Sequence, residues 1–375
     1  MNLMETMTCL ALSSGWPVAP EMGAEQVDAP ACVLADLDLA SRLEHVRPDP
    51  GLATNFSLQR ARAELGLVTA QNISGRVAID ARRSAPDSGY LGLEGESWFM
   101  RAQIVEARVA SARLGLTVAG GLIDDPWVVS GNQAFGYRSL AATQSEALGF
   151  SDRSDLGGSL TWTAPHKRVR ITATLLTGEG LARRERNNGK DLHGLVEVRP
   201  WNDEQLVISL YGKDGSRGVL KARNHRAGAR VHGLVPSLGP TDAITYGVAV
   251  TKAWGVDGDP DRTPFGGEGW VSADLDLITA LVRTSFVDQA PGTEQTTDGS
   301  VLAAVGIRAQ GQPDSLQHRP AHLVLGVDRR FVGLNSAGIA GGAGTTSTTT
   351  LFVQIGVNLR VVAPTSMWGT ARGDL

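Results

Sequence analysis

From residue 33 to residue 362 the chain alternates apolar and polar residues with a period of two, segment after segment. Few patterns constrain a fold more. Successive side chains of an extended strand point to opposite faces, so each segment carries one greasy and one polar side. In RARAELGLV (60–68), Ala61, Ala63, Leu65 and Leu67 share one face, and Arg60, Arg62, Glu64 and Gly66 share the other. Ile73, Val77 and Ile79 stand opposite Ser74, Arg76 and Asp80, and Val169, Ile171, Ala173 and Leu175 stand opposite Arg168, Arg170, Thr172 and Thr174. Helical periodicity is nowhere sustained, and the 45 Gly and 17 Pro spread along the chain disfavour long helices.

About 16 such segments can be counted, near 33–45, 57–70, 73–82, 98–110, 114–123, 154–164, 167–178, 190–200, 204–213, 226–235, 242–254, 266–274, 277–288, 300–310, 319–330 and 349–362. The links between them alternate in length. Short ones (71–72, 111–113, 165–166, 201–203, 236–241, 275–276, 311–318) take turns with long ones (46–56, 83–97, 124–153, 179–189, 214–225, 255–265, 289–299, 331–348). A soluble sandwich also alternates along its strands, but it does not call for this rhythm or for strands well beyond the usual ~5–6 residues. The expected fold is all-β: an up-and-down antiparallel transmembrane β-barrel of about 16 strands over residues 31–375, with short periplasmic turns and long extracellular loops. Residues 363–375 extend past the last strand. Strand 98–110 is the exception to the pattern, because Arg101 and Gln103 lie on one face and Glu106 and Arg108 on the other, so its inward side is not readable.

Composition closes other routes. A net charge of −4 gives no basic field of the kind that gathers nucleic acid. Cys9 and Cys32 are the sole thiols, so neither a disulfide scaffold nor a cysteine metal cluster can be built. Residues 1–30 read as a signal peptide or a disordered leader: MTCLALSSGWPVA has an apolar stretch followed by small residues, with no preceding Lys or Arg and with Pro17 inside it.

In a barrel the greasy faces meet lipid and the charged faces a wet lumen. The expected lumen residues are Arg60, Arg62, Glu64, Arg76, Asp80, Arg168, Arg170, His193, Glu197, Arg230 and Arg283. The longest link, 124–153, holds Trp127, Val128, Phe135, Tyr137 and Leu140, which need cover, so it is expected to fold inward and narrow the channel. Asp124, Asp125 and Glu146 on that loop would face wall arginines across the narrow point, with Arg138 beside them, giving a transverse field that filters solutes. Arg183, Arg184 and Arg186 in link 179–189 suit anionic surface lipid.

The stretch FSLQRARAELGLVTAQNISGRVAIDARRS (56–84), with WFMRAQIVEARVASARLGLTVAGGLIDDPWV (98–128), resembles the opening hairpins of 16-stranded Gram-negative porins in the phosphate-selective porin group and its relatives. The shared features are an arginine-rich second strand, an alanine-rich fourth, a glycine-rich fifth and an acidic long loop, over roughly the first 180 residues. The resemblance implies a trimeric, water-filled outer-membrane barrel whose third long loop constricts the pore. Phosphate selectivity is not implied, since that property rests on a dense basic ladder and this chain has five Lys and a net acidic charge. The expected partners are the lipid bilayer and surface lipopolysaccharide, small hydrophilic solutes or ions, and further copies in a homotrimer, without cofactor or metal. Two alternatives belong to other classes. A barrel hydrolase would need a nucleophile or acid–base constellation, and none of the seven His sits in one. A structural or adhesive surface β protein would use GGAGTTSTTT (341–350) as a linker.

Overall fold

The computed structural model describes residues 32–47, 54–69, 72–83, 98–138, 140–147, 150–151, 153–178, 180, 189–201, 205–217, 222–236, 243–256, 259, 261–275, 277–288, 297–308, 321–334 and 346–364. The leader, the arginines of link 179–189 and the segment after residue 364 lie outside them. The strands are β1 (Cys32–Arg47), β2 (Asn55–Val68), β3 (Ile73–Arg83), β4 (Trp98–Ser111), β5 (Leu116–Asp124), β6 (Ser154–Thr163), β7 (Val169–Leu176), β8 (Asp191–Val198) and β9 (Val207–Asp214). A two-residue pair, β10 (Ser216–Arg217) and β11 (Ala222–Arg223), follows. Then come β12 (His225–Pro236), β13 (Ala243–Trp254), β14 (Phe265–Leu275), β15 (Ile278–Asp288), β16 (Thr297–Arg308), β17 (Ala321–Leu334) and β18 (Thr346–Pro364). Leaving out β10 and β11, the 16 strands pair antiparallel with their sequence neighbours, and β1 closes on β18 from Cys32↔Pro364 to Arg47↔Thr349. Closure removes both sheet edges, so every strand donates and accepts on two sides.

The period-two pattern becomes an inside and an outside. On β9, Val207, Ser209, Tyr211 and Lys213 are buried and face inward, while Ile208 and Leu210 stand exposed. Around the described residues 45 large apolar side chains are exposed, such as Leu65, Val248 and Leu325. In water, leaving roughly half of each uncovered would cost about 1 kcal/mol apiece. That sum is several times the net stability of ~5–15 kcal/mol that domains possess. Hydrocarbon removes the penalty, and a closed barrel leaves no backbone group unpaired in it. The outer surface is therefore that of a membrane-spanning barrel.

Two bulges repair what alternation alone could not explain. In the β3–β4 register, Ala78 pairs with Ile104 and Ile79 with Ala102, so Gln103 is an extra residue. The phase shifts there, and Arg101 before it and Glu106 and Arg108 after it all face inward, resolving the face that the sequence left unreadable. Gln59 is the extra residue of β2, between Ala40↔Arg60 and Ser41↔Leu58.

Tight turns close the short links: Asn72 takes a left-handed φ of 59° and Gly115 one of 62°. With the observed strand ends the link rhythm breaks at one place. The twelve residues 309–320 on the short side outnumber both flanking long links, the eight of 289–296 and the eleven of 335–345.

Candidate functional site

The longest link folds into the barrel. It starts with a short helix, α1 (Pro126–Phe135), and a single turn, α2 (Gln144–Ala147), follows. The residues DDPW explain the helix start. Asp125 is its N-cap and accepts hydrogen bonds from the amides of Trp127 (2.8 Å) and Val128 (3.1 Å), Pro126 sits where its missing N–H costs nothing, and Gly136 ends the helix at φ 72°.

The helix is fastened to β8, β9 and β12. Trp127 stacks on Tyr211 with centroids 5.2 Å apart, and the guanidinium of Arg230 lies 4.4 Å over the Trp127 ring. Gly228 makes room for the indole, since a Cβ there would come within 2.8 Å of it. His193 Nδ1 lies 3.1 Å from Asp125 Oδ2, and Tyr211 is within 3.4 Å of both groups. Burial opposes ionisation of Asp125, but its hydrogen bond to His193, the charges of His193 and Lys213 and the helix amide of Val128 hold its carboxyl below the ordinary range. Ser130 donates to Glu197 at 2.8 Å and accepts from Arg230.

Beyond the helix the loop lies on the apolar inner wall of β13 to β18. Phe135 meets Trp270 edge-on at 5.8 Å, and with Tyr137 and Leu140 it covers Leu281, Leu302, Val324 and Phe352. The hydroxyl of Tyr137 donates to Asp274 at 3.1 Å, and Arg42 on β1 donates to the carbonyl of Leu140. On the way back, Glu268 accepts from the amide of Gln144 at 2.9 Å and from Arg283 at 2.7 Å, while Arg283 also donates to the carbonyl of Ala142 at 2.6 Å. The amide of Asp125 donates to the carbonyl of Arg153 at 2.7 Å and closes the base of the loop.

The opposite wall stays open and charged. Arg60 pairs with Asp38, and Arg62 with Glu64 at 2.6 Å. Arg76 bridges Glu106 and Asp124, each at 2.9 Å, and lies 3.5 Å from Glu64. Arg108 reaches Glu106 at 2.7 Å, and Arg170 lies 3.6 Å from Glu197. Near this wall Arg153 reaches Asp124 only at 3.7 Å, and its buried Nε and Nη1 have no hydrogen-bond partner among the described residues.

The sequence-derived residues thus divide by where the loop runs. Arg60, Arg62, Glu64, Arg76, Asp80 and Arg170 are on the inner face of the wall strands β2, β3 and β7, whereas His193, Glu197, Arg230 and Arg283 are inward but buried against the loop or beneath it. Arg168 lies before the start of β7, exposed in the short turn that follows Pro165–Lys167, and its carbonyl accepts from the amide of Arg199 at 2.7 Å. Of the three loop carboxylates, Asp124 meets the wall arginine Arg76, Asp125 caps the helix, and Glu146 turns back to Arg138 of its own loop, with Nε–Oε2 at 2.9 Å, and accepts from Asn132 at 3.1 Å. Burial opposes its charge, yet Arg138, Arg153 and Asn132 bring Glu146 down to about 2. The anchors Trp127, Tyr211, Trp270, Glu268 and Arg42 were not singled out by sequence reasoning as site residues. The helix carried a readable signal in Asp125, Pro126 and Gly136; the wall partners carried none, because their role depends on which strand the loop crosses.

Among the described residues no group of three His, Cys, Asp or Glu could hold a metal ion. No family model matches the chain, and no curated protein matches it by sequence. Solved structures do match in shape. The anion-selective porin from Comamonas acidovorans superposes with a TM-score of 0.58 at 12% identity, over 88% of this chain and 100% of that one. The loop L8 deletion mutant of OmpT, an outer membrane protein of Vibrio cholerae, gives 0.55 at 11%, over 88% and 100%. OccAB4 of Acinetobacter baumannii gives 0.51 at 8%, over 91% and 100%. These likenesses do not single out the phosphate-selective group. What they share with this chain is the fold, and that fold is the closed 16-stranded antiparallel barrel of Gram-negative outer-membrane porins.

Proposed function

We propose that the protein is an outer-membrane porin, a water-filled channel for passive diffusion of small hydrophilic solutes and ions, narrowed by loop 124–153. The observation that carries this reading is the one-sided course of the loop. It is fastened by aromatic stacking, apolar contact and buried hydrogen bonds to β8, β9, β12–β18 and Arg42 of β1, and leaves the arginine and carboxylate wall of β2–β5 facing the enclosed space. A passing solute would meet fixed charges on the wall and the Arg138–Glu146 pair on the loop, in a setting where low-dielectric walls strengthen each field. The buried N–H groups of Arg153 that lack partners make anions the favoured ions. In the membrane the channel would assemble as a homotrimer among lipopolysaccharide, and it moves solutes without cofactor or chemistry.

The test is the reversal potential of single channels in planar bilayers under a salt gradient. Wild type should show stepwise conductance with the reversal potential on the anion side. Arg62→Glu should move it toward cations by several millivolts or more. An unchanged reversal potential, with conductance intact, would place Arg62 away from the ion path.

A further inference from the structure

Both ends of loop 124–153 are tied to the long-link rim through one carboxylate that the channel reading does not use. Asp191 opens β8 and is fully buried. Its Oδ1 accepts from the amide of Ser216 at 3.0 Å, and its Oδ2 accepts from Lys213 Nζ at 2.5 Å and from Asn224 Nδ2 at 3.3 Å. Ser216 and Asn224 stand at the two roots of the link between β9 and β12. The same roots meet where the amide of Asn224 donates to the carbonyl of Gly215 at 3.0 Å. Only glycine fits at 215, since a Cβ there would come within 2.8 Å of three atoms of the Asp191 carboxyl group.

Two arms lead from Asp191 to the loop. The first is Lys213, which pairs with His193 in the β8–β9 register. Its charge acts, with that of His193, on Asp125, the N-cap that starts α1. One buried ammonium thus serves a carboxylate at the rim and a carboxylate at the loop, and removing either partner would leave charge uncompensated in the interior. The second arm is Arg226 on β12. It donates from Nη2 to Asn224 Oδ1 at 2.8 Å, from Nε to the carbonyl of Phe150, and from Nη1 to the carbonyl of Gly255 at 2.8 Å. Phe150 itself packs on Ala253, Val256 and Val287. Asp125 stands at the beginning of the loop and Phe150 near its end, so both of its roots answer to Asp191.

We propose that Asp191 is a positioning residue for the constriction: it couples the roots of the β9–β12 link to both ends of loop 124–153. A change at the mouth of the barrel therefore alters how firmly α1 sits on the wall. A contiguous set of buried ion pairs and hydrogen bonds is the physical means by which such coupling travels. The proposal rests on the porin reading in one respect, which is that loop 124–153 is the narrow point.

The experiment uses the full chain in detergent, with Cys9→Ser and Cys32→Ser as background and Val128→Cys, fully buried on α1, as reporter. The rate at which a small charged methanethiosulfonate reagent reacts with the Val128→Cys thiol reads how often α1 lifts from the wall. Asp191→Asn should raise that rate by roughly fivefold or more, the lower end of the coupling found between distinct sites. Lys213→Met should raise it as well, and Lys213→Arg, which keeps the charge, should hold it near the starting value. Asp191→Asn with Lys213→Met should fall well short of the product of the two single effects, as residues of one network do. Asp214→Asn, at the same rim but exposed and paired with His225 at 2.9 Å, should leave the rate unchanged. An unchanged rate in Asp191→Asn overturns the proposal, and so do multiplying effects in the double variant or an equal rise in Asp214→Asn. Should Asp191→Asn fail to fold, Asn224→Ala puts the same question to the second arm, and a rate equal to the starting value overturns the proposal there. Single-channel recording separates the two readings: a wild type without conductance sinks the porin reading, while the thiol rates alone judge the coupling.

Discussion

At the scale of single residues, charge on an alternating strand reported which way a side chain points but not what it meets. Arg62 and Arg230 look alike in the sequence, each flanked by apolar neighbours on a strand. One lies on the open wall beside Glu64 and the other lies under Trp127, because the loop crosses β12 and not β2. The Arg138–Glu146 pair is the clearest residue-scale lever. The Glu146 carboxyl has its pKa lowered from 4.5 to about 2, so the pair's contribution is complete above about pH 4.5 and is lost as pH falls toward 2. The shift corresponds to about 3 kcal/mol at most, as an order of magnitude. Melting temperature in detergent should therefore drop between pH 5 and pH 2, and Glu146→Gln should be less stable than wild type at pH 7 and show a shallower drop. Equal pH slopes for the two proteins would remove Glu146 from the account.

At the scale of elements, strands were legible and the helix was not. All 16 barrel strands lie within four residues of the ranges that period-two alternation marks out, because one face must always be greasy in lipid. Where alternation slipped, at strand 98–110, the cause was the one-residue bulge at Gln103, and a pattern read in one phase cannot show a change of phase. The ten residues of α1 are too few for a clear helical period, and their two faces are both covered, one by the wall and one by the returning loop, so the end signals were the only readable trace. The anchor of α1 makes a prediction of its own. Trp127→Ala removes the stack on Tyr211 and should cost about 3–5 kcal/mol of packing, as core aromatic truncations do. It should also raise mean single-channel conductance and current noise, because the loop loses its hold on β9 and β12. A stable channel of wild-type conductance would show that the loop is held elsewhere.

At the scale of the whole molecule, one physical condition explains the distribution of residues. The barrel is apolar outside and mixed inside, and the inner wall is itself divided into an apolar side that holds the loop and a charged side that does not. The outer band is legible from composition along each strand. The inner division is not, since it arises from Phe135, Tyr137 and Leu140 meeting Trp270 and Leu281, more than a hundred residues away. The most direct test of water inside and lipid outside is the response of adjacent cysteines on one strand. With Cys9 and Cys32 changed to serine, Arg62→Cys, Ala63→Cys, Glu64→Cys and Leu65→Cys are reacted one at a time with a charged, membrane-impermeant thiol reagent during single-channel recording. Conductance should change stepwise for Arg62→Cys and Glu64→Cys and stay constant for Ala63→Cys and Leu65→Cys. A response at all four positions, or at Ala63 and Leu65 alone, would contradict a wet interior enclosed by a greasy outer wall.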